Sequence, residues 1–121
     1  MSHSSTLATL DHELNQALLS GDIMGAFEKY YADEIQMQEN SEPPCIGKAA
    51  NRIREQAFVD SVKEVHAIEL LGSAVGNGVT YSEWMMDITF KDSSRVKSLQ
   101  ASARRWKHGK VVSERFYYNK G

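Results

Sequence analysis

A carboxylate set into an alternating apolar run is the residue of this chain best suited to proton chemistry. In the segment VVSERFYY, Glu114 falls on the same side of the alternation as Val112, Phe116 and Tyr118. A carboxylate in an apolar pocket has its charged form disfavoured and its pKa raised, which suits proton transfer near neutral pH. The alternative is structural: Glu114 pairs with an arginine such as Arg105 or Arg52, as buried carboxylates usually do. Other groups point to less. Glu83 is expected opposite Arg104 and near Asp87, a solvent-facing cross-strand ion pair. His66 and His108 are isolated, and His3 and His12 stand far apart, so no spacing suggests a metal site. Cys45 follows Pro43 and Pro44 in a loop with no base beside it and reads as a free thiol. Gly76-Asn77-Gly78 is a hairpin turn rather than a phosphate cradle, because no phosphate-binding helix follows it.

The elements that position these groups follow from a single change of hydrophobic period. Leu7, Leu10, Leu14, Ala17 and Leu18 make one helical stripe ended by Gly21, and Asp22 then caps a second helix burying Ile23, Ala26, Phe27 and Tyr30. The run EIQMQE alternates, with Ile35, Met37 and Glu39 on one side and Gln36 and Gln38 on the other. After the loop NSEPPC, Gly47 opens a third helix whose shared face is Ala50, Ile53 and Ala57, with Phe58 near its end. From Val62 onward, turn signals at 76–78, 92–94 and 108–109 divide the chain into four strands. Three helices followed by an antiparallel meander define an α+β class.

Strand pairing decides which side chains face the helices. If Ser93-Ser94 and His108-Gly109 are two-residue hairpin tips, Ile88 faces Leu99, Met86 faces Ala101, Trp84 faces Ala103, and Ala103 in turn faces Glu114. The expected inner face is then Trp84, Met86, Ile88, Phe90, Leu99, Ala101, Ala103, Val112, Glu114, Phe116 and Tyr118. Tyr81, Glu83, Met85, Asp87, Gln100, Ser102, Arg104 and Trp106 are expected on the other. A bulge would reverse part of this assignment, since a one-residue slip moves every side chain across the sheet.

Composition bounds the function classes. A chain of 121 residues with 41% apolar and 25% charged residues is one ordinary soluble domain, spanning residues 1–121. The first residues lack a secretory signal, and one cysteine fits a reducing compartment, so a cytoplasmic location is expected. A formal net charge of −2 gives no reason to expect nucleic acid, and no apolar run predicts a membrane span. Small molecules and other proteins remain as partners.

The helix pair at LLSGDIMGAFEKYYADE, the strand and Gly-started helix after it, and the closing WKHGKV hairpin resemble the SnoaL-like branch of the nuclear transport factor 2-like superfamily. The resemblance runs from Leu7 to Tyr118. It implies a cone-shaped roll, three N-terminal helices on a curved antiparallel sheet, with a pocket at the open end and dimerisation through the sheet. It also implies a range of activities, among them steroid isomerases, polyketide cyclases, dehydratases, epoxide hydrolases and non-catalytic adaptors. By that resemblance Glu39 falls where the isomerases hold a carboxylate base. The isomerase tyrosine position is Leu14 here and the partner acid falls at Ser102, so that oxyanion hole is absent. The resulting expectation is a homodimer without cofactor, holding a small apolar or carbonyl-containing molecule. Glu39 and Glu114 are its candidate proton-transfer groups. The pocket is expected to be lined by Leu14, Phe27, Met37, Phe58, Trp84, Met86, Ala101, Ala103, Phe116 and Tyr118. A non-catalytic binding or dimerisation module is the alternative.

Overall fold

The computed structural model describes residues 3–120, with side-chain surroundings from residue 6 onward, so the side chain of His3 lies outside the described residues. Helix α1 (His3–Leu19) and helix α2 (Ile23–Tyr30) meet at Gly21, where φ is +89°, a conformation glycine adopts without strain. Asp22 caps α2 by accepting the Gly25 amide at 3.1 Å. Strand β1 (Tyr31–Glu39) follows directly, and a short strand β2 (Cys45–Ile46) returns beside it before helix α3 (Lys48–Ser61). Four strands then complete the chain: β3 (Val62–Val75), β4 (Val79–Phe90), β5 (Arg95–Lys107) and β6 (Lys110–Tyr118). The three helices and the four-strand division match the sequence pattern where turn or cap residues mark them, whereas α2 runs directly into β1 and α3 into β3, and Cys45, expected in a loop, lies in β2.

The sheet has the order β2-β1-β6-β5-β4-β3. The meander β3 to β6 is antiparallel as expected, but β1 joins β6 in parallel, so the six-stranded sheet is mixed. Bulges interrupt β3 and the β5–β6 ladder, and the sheet curves without closing. The core gathers Leu7 and Leu14 of α1, Ala26, Phe27 and Tyr30 of α2, Tyr31, Ile35 and Met37 of β1, Trp106 and Val111. Leu14 is fully enclosed, which is worth about 1.5–3 kcal/mol for such a side chain. Among the described residues, no helix is long and apolar enough to cross a membrane.

Two departures in strand register matter for the site. The β4–β5 turn is a three-residue loop: Phe90 N–H donates to Ser94 O at 2.8 Å, and Ser93 takes a positive φ of 74°. The Asp92 carboxylate stabilises it by accepting from the Ser94 amide at 2.9 Å and hydroxyl at 2.6 Å. Trp84 therefore faces Gln100, Met86 faces Ser98 and Ile88 faces Val96. The offset from the expected pairing is odd, so β5 is inverted relative to β4. The His108-Gly109 tip forms as expected, with both residues at positive φ, but a bulge between Arg105 and Trp106 shifts the β5–β6 ladder by one. This second odd shift restores β6, and Glu114 faces Arg104 rather than Ala103. The inner face thus keeps Trp84, Met86, Glu114 and Phe116 while exchanging Leu99, Ala101 and Ala103 for Gln100, Ser102, Arg104 and Trp106.

Helix α3 is also rotated from its expected face. Ile53 is 72% exposed, and Ala50 and Ala57 are exposed too, whereas Asn51 is fully buried. Asn51 Nδ2 donates to the Cys45 carbonyl at 2.9 Å and, beside the Asn51 backbone amide at 3.1 Å, to the Gly47 carbonyl at 2.8 Å, which ties the loop before the helix to its first turn. Satisfying the part-buried Cys45 carbonyl outweighs hiding one isoleucine, and the rotation brings Glu55 and Phe58, both still partly exposed, to the cavity wall.

Candidate functional site

The helices and the concave sheet face enclose a cavity of about 230 Å³. Its wall is apolar and aromatic, from Phe27 of α2, Tyr31 and Met37 of β1, Phe58 of α3, Trp84 and Met86 of β4 and Phe116 of β6. Phe27 and Tyr31 stack with ring centroids 5.2 Å apart. Into this wall project Glu39, Arg54, Glu55, Gln100, Ser102, Arg104 and Glu114.

Glu114 lies at the buried end, 2% exposed. Arg104 Nε donates to it at 2.9 Å, and the Tyr31 hydroxyl donates to its other oxygen. Arg104 also donates to Asp11 at 2.7 Å and to Asn15 at 2.6 Å, both on α1 one turn apart. Thr80 donates to Asp11 at 2.7 Å, and Trp106 Nε1 donates to Thr80 at 2.8 Å. The network ties α1 to β4, β5 and β6, and among the described residues no fully buried side-chain nitrogen or oxygen lacks a hydrogen-bond partner, the condition under which buried charge is tolerated. Burial alone would lower the Arg104 pKa, but Glu114, Tyr31 and Asp11 beside it hold it raised. Burial, with Glu114 adding to it, pushes the Tyr31 phenol well above its ordinary range. Glu114 therefore has an arginine partner, supplied by Arg104. Of the arginines expected for that role, Arg52 pairs with Glu28 at 2.5 Å and Arg105 points to solvent.

The mouth holds a second group. Glu39, on β1 as the alternation requires, lies 3.3 Å from Arg54 and accepts the Tyr118 hydroxyl at 3.0 Å. Burial and this bond to Glu39 push the Tyr118 phenol up to about 12. Between the two groups stands Glu55, partly buried on α3. Among the described residues its carboxylate has neither a hydrogen bond nor an ion pair, and its oxygens are open to the cavity rather than sealed in protein. Desolvation first, then the charges of Glu114 and Glu39, outweigh Arg54 and push its pKa up to about 7.

Of the residues expected at the site, the cavity brings together Glu39, Glu114, Phe27, Met37, Phe58, Trp84, Met86 and Phe116. Leu14 lies in the core instead, and Tyr118 stands behind Glu39. Ala101 and Ala103 face away from the cavity, a correction that follows from the three-residue turn at 91–93. Arg104, expected on the solvent side opposite Glu83, is 2% exposed and faces Thr80. Asp87 takes its arginine from Arg95, in two bonds of 2.9 Å each. Sequence reasoning missed Tyr31, Glu55, Gln100, Ser102 and Arg104. For Glu55 a signal exists: Asn51, Glu55 and Phe58 have the four-and-three spacing of one helix face.

A model of the SnoaL-like domain matches residues 11–118. A solved Mesorhizobium loti structure, described with SnoaL-like polyketide cyclases, is 32% identical over 93% of this chain and 98% of its own, with a TM-score of 0.83. A Xanthomonas campestris structure, described with polyketide cyclases, is 16% identical, covers 98% and 93% of the two chains, and has a TM-score of 0.79. An epoxide hydrolase of Mycobacterium tuberculosis is 10% identical, covers 98% and 86%, and also has a TM-score of 0.79. No protein with a curated description matches the chain. The last two structural likenesses concern the fold alone.

Proposed function

Because the chain belongs to the SnoaL-like domain family, we propose that its cavity binds a small, largely apolar molecule and moves a proton on it, with Glu55 as the proton carrier. The observation that carries this reading is the Glu55 carboxyl, without hydrogen bond or ion pair among the described residues and open to an aromatic-walled cavity, where desolvation and the charge of Glu114 push its pKa up to about 7. A group with that affinity is divided between base and acid at neutral pH, the condition for taking a proton from one atom and returning it to another. In its ionised form Glu55 removes a proton from carbon beside a carbonyl, and the electron pair moves onto the carbonyl oxygen. As the pair moves back from the oxygen, the neutral carboxyl returns the proton to carbon. Gln100 lines the cavity, has no hydrogen bond to its side-chain amide among the described residues, and is the donor we assign to that oxygen. Glu39 anchors Arg54 and Tyr118 at the mouth, and Glu114 at the closed end keeps the Glu55 proton affinity high. The cavity is below the roughly 300–1,000 Å³ usual for drug-sized ligands, which favours a molecule of about one ring.

Self-association is part of the same proposal. Leu99 is 65% exposed and Tyr81 and Tyr117 are each 47% exposed, with Ala101 beside them on the outer sheet face, a low apolar surface suited to a second copy. We assign the protein to the cytoplasm on the single free cysteine.

Proton exchange into deuterated water tests the chemistry without knowledge of the natural substrate. With a panel of small cyclic ketones followed by proton NMR, the wild type should speed exchange beside the carbonyl. Glu55→Gln should lose about 10²–10⁴-fold of that rate and Glu39→Gln should lose less. An unchanged rate in Glu55→Gln removes its role. No exchange by the wild type on any ketone favours a binding module without catalysis.

A further inference from the structure

Carboxylates lining the cavity outnumber its cations. Glu39, Glu55 and Glu114 face it against Arg54 and Arg104, and Arg104 is shared with Asp11 behind it. Arg54 is taken by Glu39 at 3.3 Å, so the Glu55 carboxylate has no cation of its own. The remaining wall carries the aromatic side chains of Phe27, Tyr31, Phe58, Trp84 and Phe116.

We propose that the ligand of this cavity carries a positive charge, a protonated amine or ammonium group seated against Glu55 among the aromatic rings. This rests on the reading of the cavity as a small-molecule site and adds the ligand's charge to it. An unpaired carboxylate in apolar surroundings reaches neutrality by taking up a proton or by meeting a cation, and a cationic ligand supplies the second route. Aromatic faces attract the same charge, by more once water is excluded. An anionic ligand would find both arginines engaged and three carboxylates facing it. The bound cation holds Glu55 ionised, so in the complex Glu55 starts as the base, and the amine is an addition to the reacting part of the molecule, not a replacement for it.

The proposal fixes the sign of a proton linkage. The charged or titratable groups facing Glu55 are Glu39 and Tyr31 from β1, Arg54 beside it on α3, Arg104 from β5 and Glu114 from β6. A bound cation favours ionised Glu55, so binding releases a proton and tightens as pH rises through about 7. A neutral ligand held by the protonated carboxyl would show the opposite trend.

Benzylammonium and benzyl alcohol, alike in shape and different in charge, make the test by calorimetric titration at about pH 6 and about pH 8. The cation is expected to bind about tenfold tighter or more at the higher pH, with a smaller advantage at the lower. In Glu55→Gln the two probes should bind alike; should that variant fail to fold, the wild-type pH trend alone decides the ligand's charge. Equal or tighter binding of the alcohol at the higher pH overturns the charge assignment and leaves the small-molecule site standing. A cation preference that survives in folded Glu55→Gln overturns the role of Glu55. Absence of binding by both probes overturns the site together with the proposal.

Discussion

Replacing Arg104 by methionine should remove the one cation that two buried carboxylates share. Arg104 is 2% exposed, Glu114 is 2% exposed and Asp11 is 4% exposed, so water does not reach in to take the guanidinium's place. The variant loses contacts of 2.9 Å to Glu114, 2.7 Å to Asp11 and 2.6 Å to Asn15. Breaking a buried pair from one side costs about 3–5 kcal/mol, because the remaining charge stays uncompensated. The surviving bonds from Thr80 and Asn15 to Asp11, and from Tyr31 to Glu114, set the expected loss near the lower end, about 3 kcal/mol. That is a large share of the roughly 5–15 kcal/mol that holds a domain together. Urea unfolding at neutral pH measures it. Adding Asp11→Asn and Glu114→Gln should recover most of the loss. A deficit below about 1 kcal/mol at neutral pH would refute the view that Arg104 is what makes both buried carboxylates tolerable.

Glu55→Gln should stabilise the protein at high pH. The folded pKa of about 7 lies above the ordinary 4.5, so wild-type stability is full below about 4.5 and falls as pH rises through about 7. At about 1.4 kcal/mol per unit, and allowing for partial exposure, the variant gains about 1–3 kcal/mol at pH 8 and little at pH 4.5, read by urea unfolding. Asn51→Ala should lose about 1–3 kcal/mol in the same assay by removing the side-chain donor to the Cys45 carbonyl, while the Gly47 carbonyl keeps the backbone amide of residue 51. Leu99→Glu places charge in the outer sheet face and should shift a dimer to monomer in sedimentation; a wild type already monomeric removes that face as a self-interface.

The elements are legible in the sequence because their boundaries rest on local chemistry: Asp22 at a helix start, Gly47 before the next, His108-Gly109 at a hairpin tip. The pairing between strands is less so. A turn of three residues at 91–93 and one of two at 93–94 read almost alike, and the difference inverts β5. The bulge at Arg105-Trp106 then restores β6 by parity, so Glu114 and Phe116 lie inside as the alternation suggests while Ala101 and Ala103 do not. Glu55 is hidden by the apolar count on α3, which points to Ile53, whereas the helix is turned by the Cys45 carbonyl that Asn51 must satisfy. The demand of buried carbonyls for a donor leaves little trace in hydrophobic period.

The proton affinity of Glu55 separates a working carboxyl from a solvated one. Carbon-detected NMR titration of its side-chain carboxyl, assigned by comparison with Glu55→Gln, should give a midpoint of about 7. A midpoint at the ordinary carboxylate value near 4.3 would mean that Glu55 stands in water, and the proton-transfer reading would fail with it.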